Sequence, residues 1–97
     1  TYQTVSIPVS YIDRGDLYLH ISGGSPAPSI KFGTGSFIPL GSPILKSVTI
    51  NGVYLMELKY TVPVQATRST SVTVKVESTR SSSTEDAYLY DILFAGR

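Results

Sequence analysis

Apolar residues stand at every second position along nearly the whole chain, and this alternation constrains the fold more than any other feature of the sequence. Residues 71–78 show it most clearly, with valines at 72, 74 and 76 and polar or charged residues between them. Successive side chains of a β-strand point to opposite faces, so a period of two indicates strands that bury one face. No segment shows a convincing helical period. The sequence therefore predicts an all-β chain with no significant helix.

The strongest local signal is Asn51-Gly52, which separates two alternating runs. A two-residue hairpin turn of type I′ needs positive φ at both central positions, and Asn followed by Gly adopts it most readily. The turn fixes the register of the two strands. The expected opposed pairs are Ile50 with Val53, Val48 with Leu55, and Lys46 with Glu57. The last pair sets opposite charges directly across the ladder, which agrees with this register.

Turn-forming residues divide the rest of the chain into seven or eight short strands. Candidate turns and loops lie at residues 13–16, 22–29, 33–35, 39–43, 65–70 and 79–86. Short strands separated by turns, in a chain of 97 residues, indicate a single antiparallel β-sandwich of the immunoglobulin-like or jelly-roll type. We see no repeat and no second domain, so residues 1–97 are expected to form one sandwich.

The N-terminal strand, residues 1–12, is a candidate edge or exchanged strand. Pro8 has no N–H to donate to a ladder, which favours an edge position. One face of this strand carries Val5, Ile7, Val9 and Tyr11. Such a strand can pair in its own sheet or in the sheet of a neighbouring subunit. The pattern is similar to the donor strands of extracellular pili, a resemblance that implies strand exchange between subunits; pairing within the chain is the alternative.

The hairpin, residues 44–60, and the last strand, residues 87–95, are substantially apolar on both faces. A strand in a two-layer sandwich buries one face and leaves the other in water, so a second apolar face needs a further cover. We expect a neighbouring subunit to supply it, because large exposed apolar patches are rare on monomers. Ordinary exposed aromatic and leucine side chains are the alternative. Besides the N-terminal strand, the candidate interface comprises Tyr54, Met56, Leu58, Tyr60, Tyr88, Tyr90, Ile92 and Phe94, of which one strand's set can instead be core.

Sites of chemistry are poorly supported by the sequence. His20 is the single histidine, and a catalytic triad or a zinc site needs partners that the chain does not offer in a recognisable pattern. His20 is therefore expected to be a surface or pairing residue. Glu57 is expected to be neutralised by Lys46, and Asp91, a charge within an apolar strand, marks a polar gap or an edge. We predict no enzymatic activity, no cofactor and no metal.

Composition restricts the partners. The formal net charge is +1, only 15% of residues are charged, and there is no cysteine. Ordinary domains have roughly 25% charged residues. A near-neutral chain has no electrostatic footprint for nucleic acid, and no apolar run approaches the roughly 18 residues of a membrane span. A surface rich in hydroxyl groups and poor in charge suits an extracellular, cell-surface or virion location.

These observations predict a non-enzymatic structural subunit whose partners are copies of itself. The assembly would be an extracellular filament or pilus-like fibre, or a capsid, tail or decoration component of a virion, formed by burial of the apolar strand faces. The alternative is a monomeric β-sandwich module that binds a glycan or a cell surface through exposed tyrosines. The absence of tryptophan counts against the alternative, because large flat rings provide the best stacking area.

Overall fold

The computed structural model describes residues 2–23, 25–79 and 88–97, and within those ranges the chain forms strands and no helix. The strands are β1 (Tyr2–Ile12), β2 (Gly15–Ser22), β3 (Ser25–Phe32), β4 (Ile38–Pro39), β5 (Ile44–Ile50), β6 (Val53–Val62), β7 (Ser69–Thr79) and β8 (Tyr88–Gly96). The predicted all-β class is confirmed. No described segment is a helix long and apolar enough to cross a bilayer.

The eight strands form two antiparallel sheets of four, which face each other as a β-sandwich. Sheet I has the order β1-β7-β3-β4, and sheet II has the order β5-β6-β2-β8. The edges β1 and β8 contact each other on one flank of the sandwich. The other two edges, β4 and β5, are joined by the short link of residues 40–43. Each sheet therefore has one edge strand on each flank.

The core lies between the sheets and is built from the alternating residues of the central strands. The side chains with the least exposure are Leu17, Leu19, Ile30, Val72 and Val74. They come from β2, β3 and β7, which lie inside their sheets and so have a neighbour on each side. The alternation read from the sequence in β2 and β7 thus identifies the core face correctly.

The hairpin of β5 and β6 forms as predicted. Asn51 has a φ of 50° and Gly52 a φ of 80°, as a type I′ turn requires. The register pairs Lys46 with Glu57 and continues to Ile50 opposite Val53. This part of the fold depends on neighbouring residues alone, which is why the sequence was sufficient to predict it.

The expected loop at residues 22–29 is wrong in its second half, because β3 begins at Ser25 and includes Pro26 and Pro28. Pro28 lies opposite Val76 of β7, yet its carbonyl accepts a hydrogen bond of 3.1 Å from the amide of Leu40 on the other side. The nitrogen and carbonyl of one strand residue point to the same side, so the Pro28 nitrogen also faces away from β7. The missing N–H therefore costs no bond in the β3–β7 ladder.

Strand β1 lies at the edge of sheet I and pairs with β7 of its own chain. Val5 lies opposite Val74, and Pro8 opposite Ser71. The register shifts between Pro8 and Ile12, so the strand bends where the proline interrupts it. Within the monomer, this strand covers one side of the core: Ile7 and Val9 pack against the core residues.

Candidate functional site

The free edge of β5 is open to another molecule. β5 pairs with β6 on one side, and no strand in the described residues pairs with its other side. Its side chains are exposed on both faces: Ile44 is 65% exposed on the outer face, and Leu45 is 62% exposed on the core-facing side. The cover over β5 is short because β4, the edge of sheet I on the same flank, has only two residues. An unpaired edge of this kind is a template for a further strand.

The opposite edge of sheet II is β8, which pairs with β2 alone among the described strands. Leu93 of β8 is 54% exposed on the outer face, and Tyr90 is 37% exposed. Asp91 lies between them in sequence and points to the same outer face as Leu93. The two edges of sheet II thus each combine exposed apolar side chains with one charged residue, Lys46 on β5 and Asp91 on β8.

A β-bulge at Tyr90 changes the expected faces of β8. Asp91 lies opposite His20 but Leu89 lies opposite Ile21, so Tyr90 is the extra residue. The extra residue moves Leu89 to the core side, where it packs with Ile92 and Phe94. The strict alternation expected for this strand, with Leu89 on the face away from Ile92, is therefore wrong.

The residues predicted for an interface fall into three groups. Leu58 and Tyr60 are buried in the core; they are not available to a partner. Partly buried residues that pack against the core are Ile7, Val9, Met56, Ile92 and Phe94. Exposed residues are Val5, Tyr11, Tyr54 and Tyr90. Tyr88 lies opposite Ser22 in the β2–β8 ladder, and its side chain is outside the described part of the structure.

On the two edge strands of sheet II, three exposed residues were missed as candidates: Ile44, Leu45 and Leu93. The sequence did show that the strand of Ile44 and Leu45 is apolar on both faces. The missing information was that β5 and β8 are the edges of one sheet, which follows from pairings between distant parts of the chain.

A buried charged cluster lies on the outer face of sheet II. His20, on β2, is 4% exposed and lies between Glu57 of β6 and Asp91 of β8. Its Nε2 is 2.9 Å from Oε2 of Glu57, and its Nδ1 is hydrogen bonded to Oδ1 of Asp91. Both ring nitrogens donate when the imidazole is protonated, so the cluster links three adjacent strands.

Burial lowers the pKa of His20, but the hydrogen bonds and negative charges of Glu57 and Asp91 outweigh it and raise the pKa above 6.5. The expected register of Lys46 and Glu57 is correct, but it is His20 that binds the Glu57 carboxylate. In the ranges that the structure describes, no group of three or more His, Cys, Asp or Glu side chains is arranged so that it could hold a metal ion. The cluster favours the protonated form of His20 and links β2 to β6 and β8 through side chains.

A cleft of about 590 Å³ lies at one end of the sandwich. It is lined by Tyr11, by residues 33–35 after β3, and by residues 65–71 before and within β7. The guanidinium of Arg68 lies 5.8 Å from the ring centre of Tyr11, and Tyr11 is 65% exposed. The cleft therefore offers an aromatic face, a cation and several hydroxyl groups.

No family model, curated protein or solved structure matches the chain.

Proposed function

We propose that the chain is a non-enzymatic structural subunit that assembles with copies of itself through its β-sheet surfaces. The observation that carries the proposal is the free edge of β5, which is seven residues long and exposes an isoleucine on one face and a leucine on the other. Sandwiches that remain monomeric protect such edges with charges, prolines, bulges or a covering loop. β5 has one charged residue, Lys46, and no proline.

The contrast with β1 supports this interpretation. β1 is also an edge strand, but Pro8 and the register shift that follows it interrupt its ladder, and both features hinder the addition of a strand. The chain thus interrupts the ladder of one edge strand, β1, and leaves the ladder of β5 uninterrupted. An edge that is left open in this way is expected to be covered in the functional state.

The low charge and the many hydroxyl groups of the sequence favour an extracellular filament, a pilus-like fibre or a virion component. Such assemblies bury subunit surfaces permanently, and a surface poor in charge loses little solvation when another subunit covers it. The N-terminal strand remains a candidate for exchange between subunits, since β1 is joined to the rest of sheet I only through β7.

Light scattering and electron microscopy test the proposal directly. We expect the wild-type chain to show a mass above that of one 10.5 kDa chain, rising with concentration. Leu45→Lys is expected to reduce this mass to a monomer, because it places a charge in the edge that would be covered. Val64→Lys is the matched control, since Val64 is 60% exposed but lies in the loop between β6 and β7. A wild-type chain that stays monomeric at all concentrations contradicts the proposal.

The second candidate function is glycan binding, and the cleft at Tyr11 and Arg68 is the observation that favours it. An exposed ring that can stack on a sugar, with hydroxyl and guanidinium groups around it, is the composition of a small-molecule site. Addition of monosaccharides and short oligosaccharides to the isotopically labelled chain would then shift the amide signals of residues 33–35 and 65–71. Tyr11→Ala is expected to abolish those shifts, whereas Tyr54→Ala, at a ring remote from the cleft lining, is expected to leave them intact. A glycan array without hits counts against this function.

A further inference from the structure

The directions of the strands determine how two copies of sheet II can be joined. All neighbouring strands in the order β5-β6-β2-β8 are antiparallel, so β5 and β8, the first and last of four, run in opposite directions. If a second copy is moved sideways without being turned over, its β8 lies beside β5 of the first copy and antiparallel to it. The core-facing and outer sides of the two sheets also coincide. The copy must also be rotated about the axis that runs across the strands, because each strand is twisted by roughly 20–25° relative to its neighbour. Neither a reversal of the sheet nor refolding is needed to continue it.

The register within the sheet shows which residues would meet. One row of cross-strand neighbours runs Asp91, His20, Glu57, Lys46 from edge to edge. A copy placed in line with this row brings its Asp91 directly opposite Lys46. Opposite charges at facing positions stabilise an antiparallel pair, whereas like charges destabilise it. The Asp91 side chain is 39% exposed, which leaves part of the carboxylate open to a second cation.

The neighbouring rows are apolar at the same edges. The row on the outer face begins with Leu93 of β8 and ends with Ile44 of β5, and both of these side chains are more than half exposed. In the row on the core-facing side, Ile92 of the second copy would lie opposite Leu45. A single displacement therefore pairs the charges and covers the largest exposed apolar side chains of both edges.

Pairing of β5 with a second β5 is less favourable. Both strands would then bring a lysine to the contact, with no carboxylate at the edge to neutralise it. The β8 edge, with its exposed Leu93, would also stay uncovered.

From these observations, and resting on the proposed self-assembly, we infer that β5 of each subunit pairs with β8 of the next. Sheet II then becomes continuous, with Lys46 opposite Asp91 and Ile44 opposite Leu93 across each junction. A head-to-tail contact of this kind leaves one free edge at each end, so it produces an open fibre instead of a closed dimer. Four strands at about 4.8 Å each correspond to a rise of about 19 Å per subunit along the fibre.

Disulfide trapping tests the pairing, because the chain has no cysteine of its own. Ile44→Cys and Leu93→Cys are made as two separate proteins, each with one thiol at an exposed position where the side chain is not needed for the core. Circular dichroism confirms that both fold. On mixing and mild oxidation, we expect a covalent dimer that contains one copy of each protein, identified by its mass. Ile44→Cys mixed with Val64→Cys is the control and should give no such product above background.

The outcomes separate the pairing from the self-assembly on which it rests. A mixed dimer, with at most background dimer from either protein alone, supports the inference. Wild-type assembly accompanied by rapid dimerisation of Ile44→Cys with itself, or by no crosslinking at all, overturns the pairing while self-assembly stands. A wild-type chain that does not assemble at any concentration overturns both.

Discussion

At the scale of single residues, His20 is the side chain whose role differs most from a simple surface position. Its ring is buried beneath the outer face of sheet II and is bound by two carboxylates from neighbouring strands. The same face also carries Lys46, which lies opposite Glu57, and in the next row Lys59 and Tyr18. When the imidazole is protonated, the three side chains of the cluster together carry a net charge of −1. Loss of the imidazole proton changes this net charge to −2. The folded chain is therefore more stable when His20 is protonated.

We predict that stability falls as the pH rises through the pKa of His20 in the folded chain. Because the folded pKa is raised above the ordinary value of 6.5, this contribution is fully present below pH 6.5 and is lost above the folded pKa. Asp91→Asn removes one negative charge beside the ring, so the pKa of His20 should fall. The free energy of unfolding at pH 5.5 should drop by about 1 kcal/mol. The expected loss is small because solvent screens the partly exposed Asp91. The loss should shrink at pH 9.

The single histidine gives one pair of imidazole C–H signals in a proton NMR titration, so its pKa can be followed without assignment of other residues. Urea unfolding at the two pH values supplies the stability. Glu77→Gln, which removes an exposed carboxylate distant from His20 in the sheet order, is the control and should change neither quantity. An unchanged pKa in Asp91→Asn would show that the hydrogen bond to His20 does not form in solution.

Gly15, the first residue of β2, is required by the close approach of β8. A Cβ at this position would lie 2.5 Å from the Ala95 carbonyl oxygen and 2.6 Å from Cζ of Phe94. We predict that Gly15→Ala lowers the free energy of unfolding by about 2 kcal/mol, because backbone and ring must both move. Gly41→Ala is the control, since nothing lies within 4 Å of a Cβ there. Chemical denaturation measures both, and equal stability of the two variants would argue against this packing.

At the scale of elements, the hairpin and the edge position of β1 could be predicted from the sequence, whereas the order of the strands in sheet II could not. Asn51 and Gly52 specify the turn, and the turn specifies the register, so all the information lies within neighbouring residues. The position of β2 between β6 and β8 instead depends on pairings that join residue 20 to residues 57 and 91. Alternating apolar residues indicate that a strand forms, but they do not indicate which strand lies beside it. The roles of His20 and Asp91 were hidden for the same reason.

Position 52 tests the link between the turn and the open edge. Gly52 has a φ of 80°, a conformation that costs an L-residue with a side chain roughly 1–2 kcal/mol. We predict that Gly52→Ala loses about this much stability and speeds amide hydrogen exchange in β5 more than in β7, because β5 is held by the turn and by β6 alone. Asn51→Gly keeps a residue that adopts positive φ and should lose much less. Equal acceleration in both strands would mean that β5 does not open separately.

At the scale of the whole molecule, the alternation in the sequence predicts two layers with a core between them, and the structure has this arrangement. The structure also has exposed apolar side chains, and only some of them, such as Tyr54 and Tyr90, are among the residues selected from the sequence. Leu58 and Tyr60 complete the core, because β6 lies inside sheet II. The exposed residues Ile44, Leu45 and Leu93, which were not selected, lie on β5 and β8 at the flanks. The position of a strand in its sheet decides which of its apolar faces is covered. This position depends on pairings between distant segments of the chain.

The open flanks lead to a prediction about the stability of the whole molecule. If native chains associate and unfolded chains do not, mass action stabilises the native state as the concentration rises. We predict that the unfolding temperature of the wild-type chain increases over a hundredfold range of concentration. The corresponding gain in the free energy of unfolding is up to about 1.4 kcal/mol for each tenfold step in concentration. Leu45→Lys should unfold at one temperature throughout, close to that of the wild type at its lowest concentration, because Leu45 contributes little to the monomer core at 62% exposure.

Scanning calorimetry with Val64→Lys as the control measures the difference. A wild-type unfolding temperature that is independent of concentration would mean that the flanks stay uncovered, and the low charge of the chain would then need another explanation.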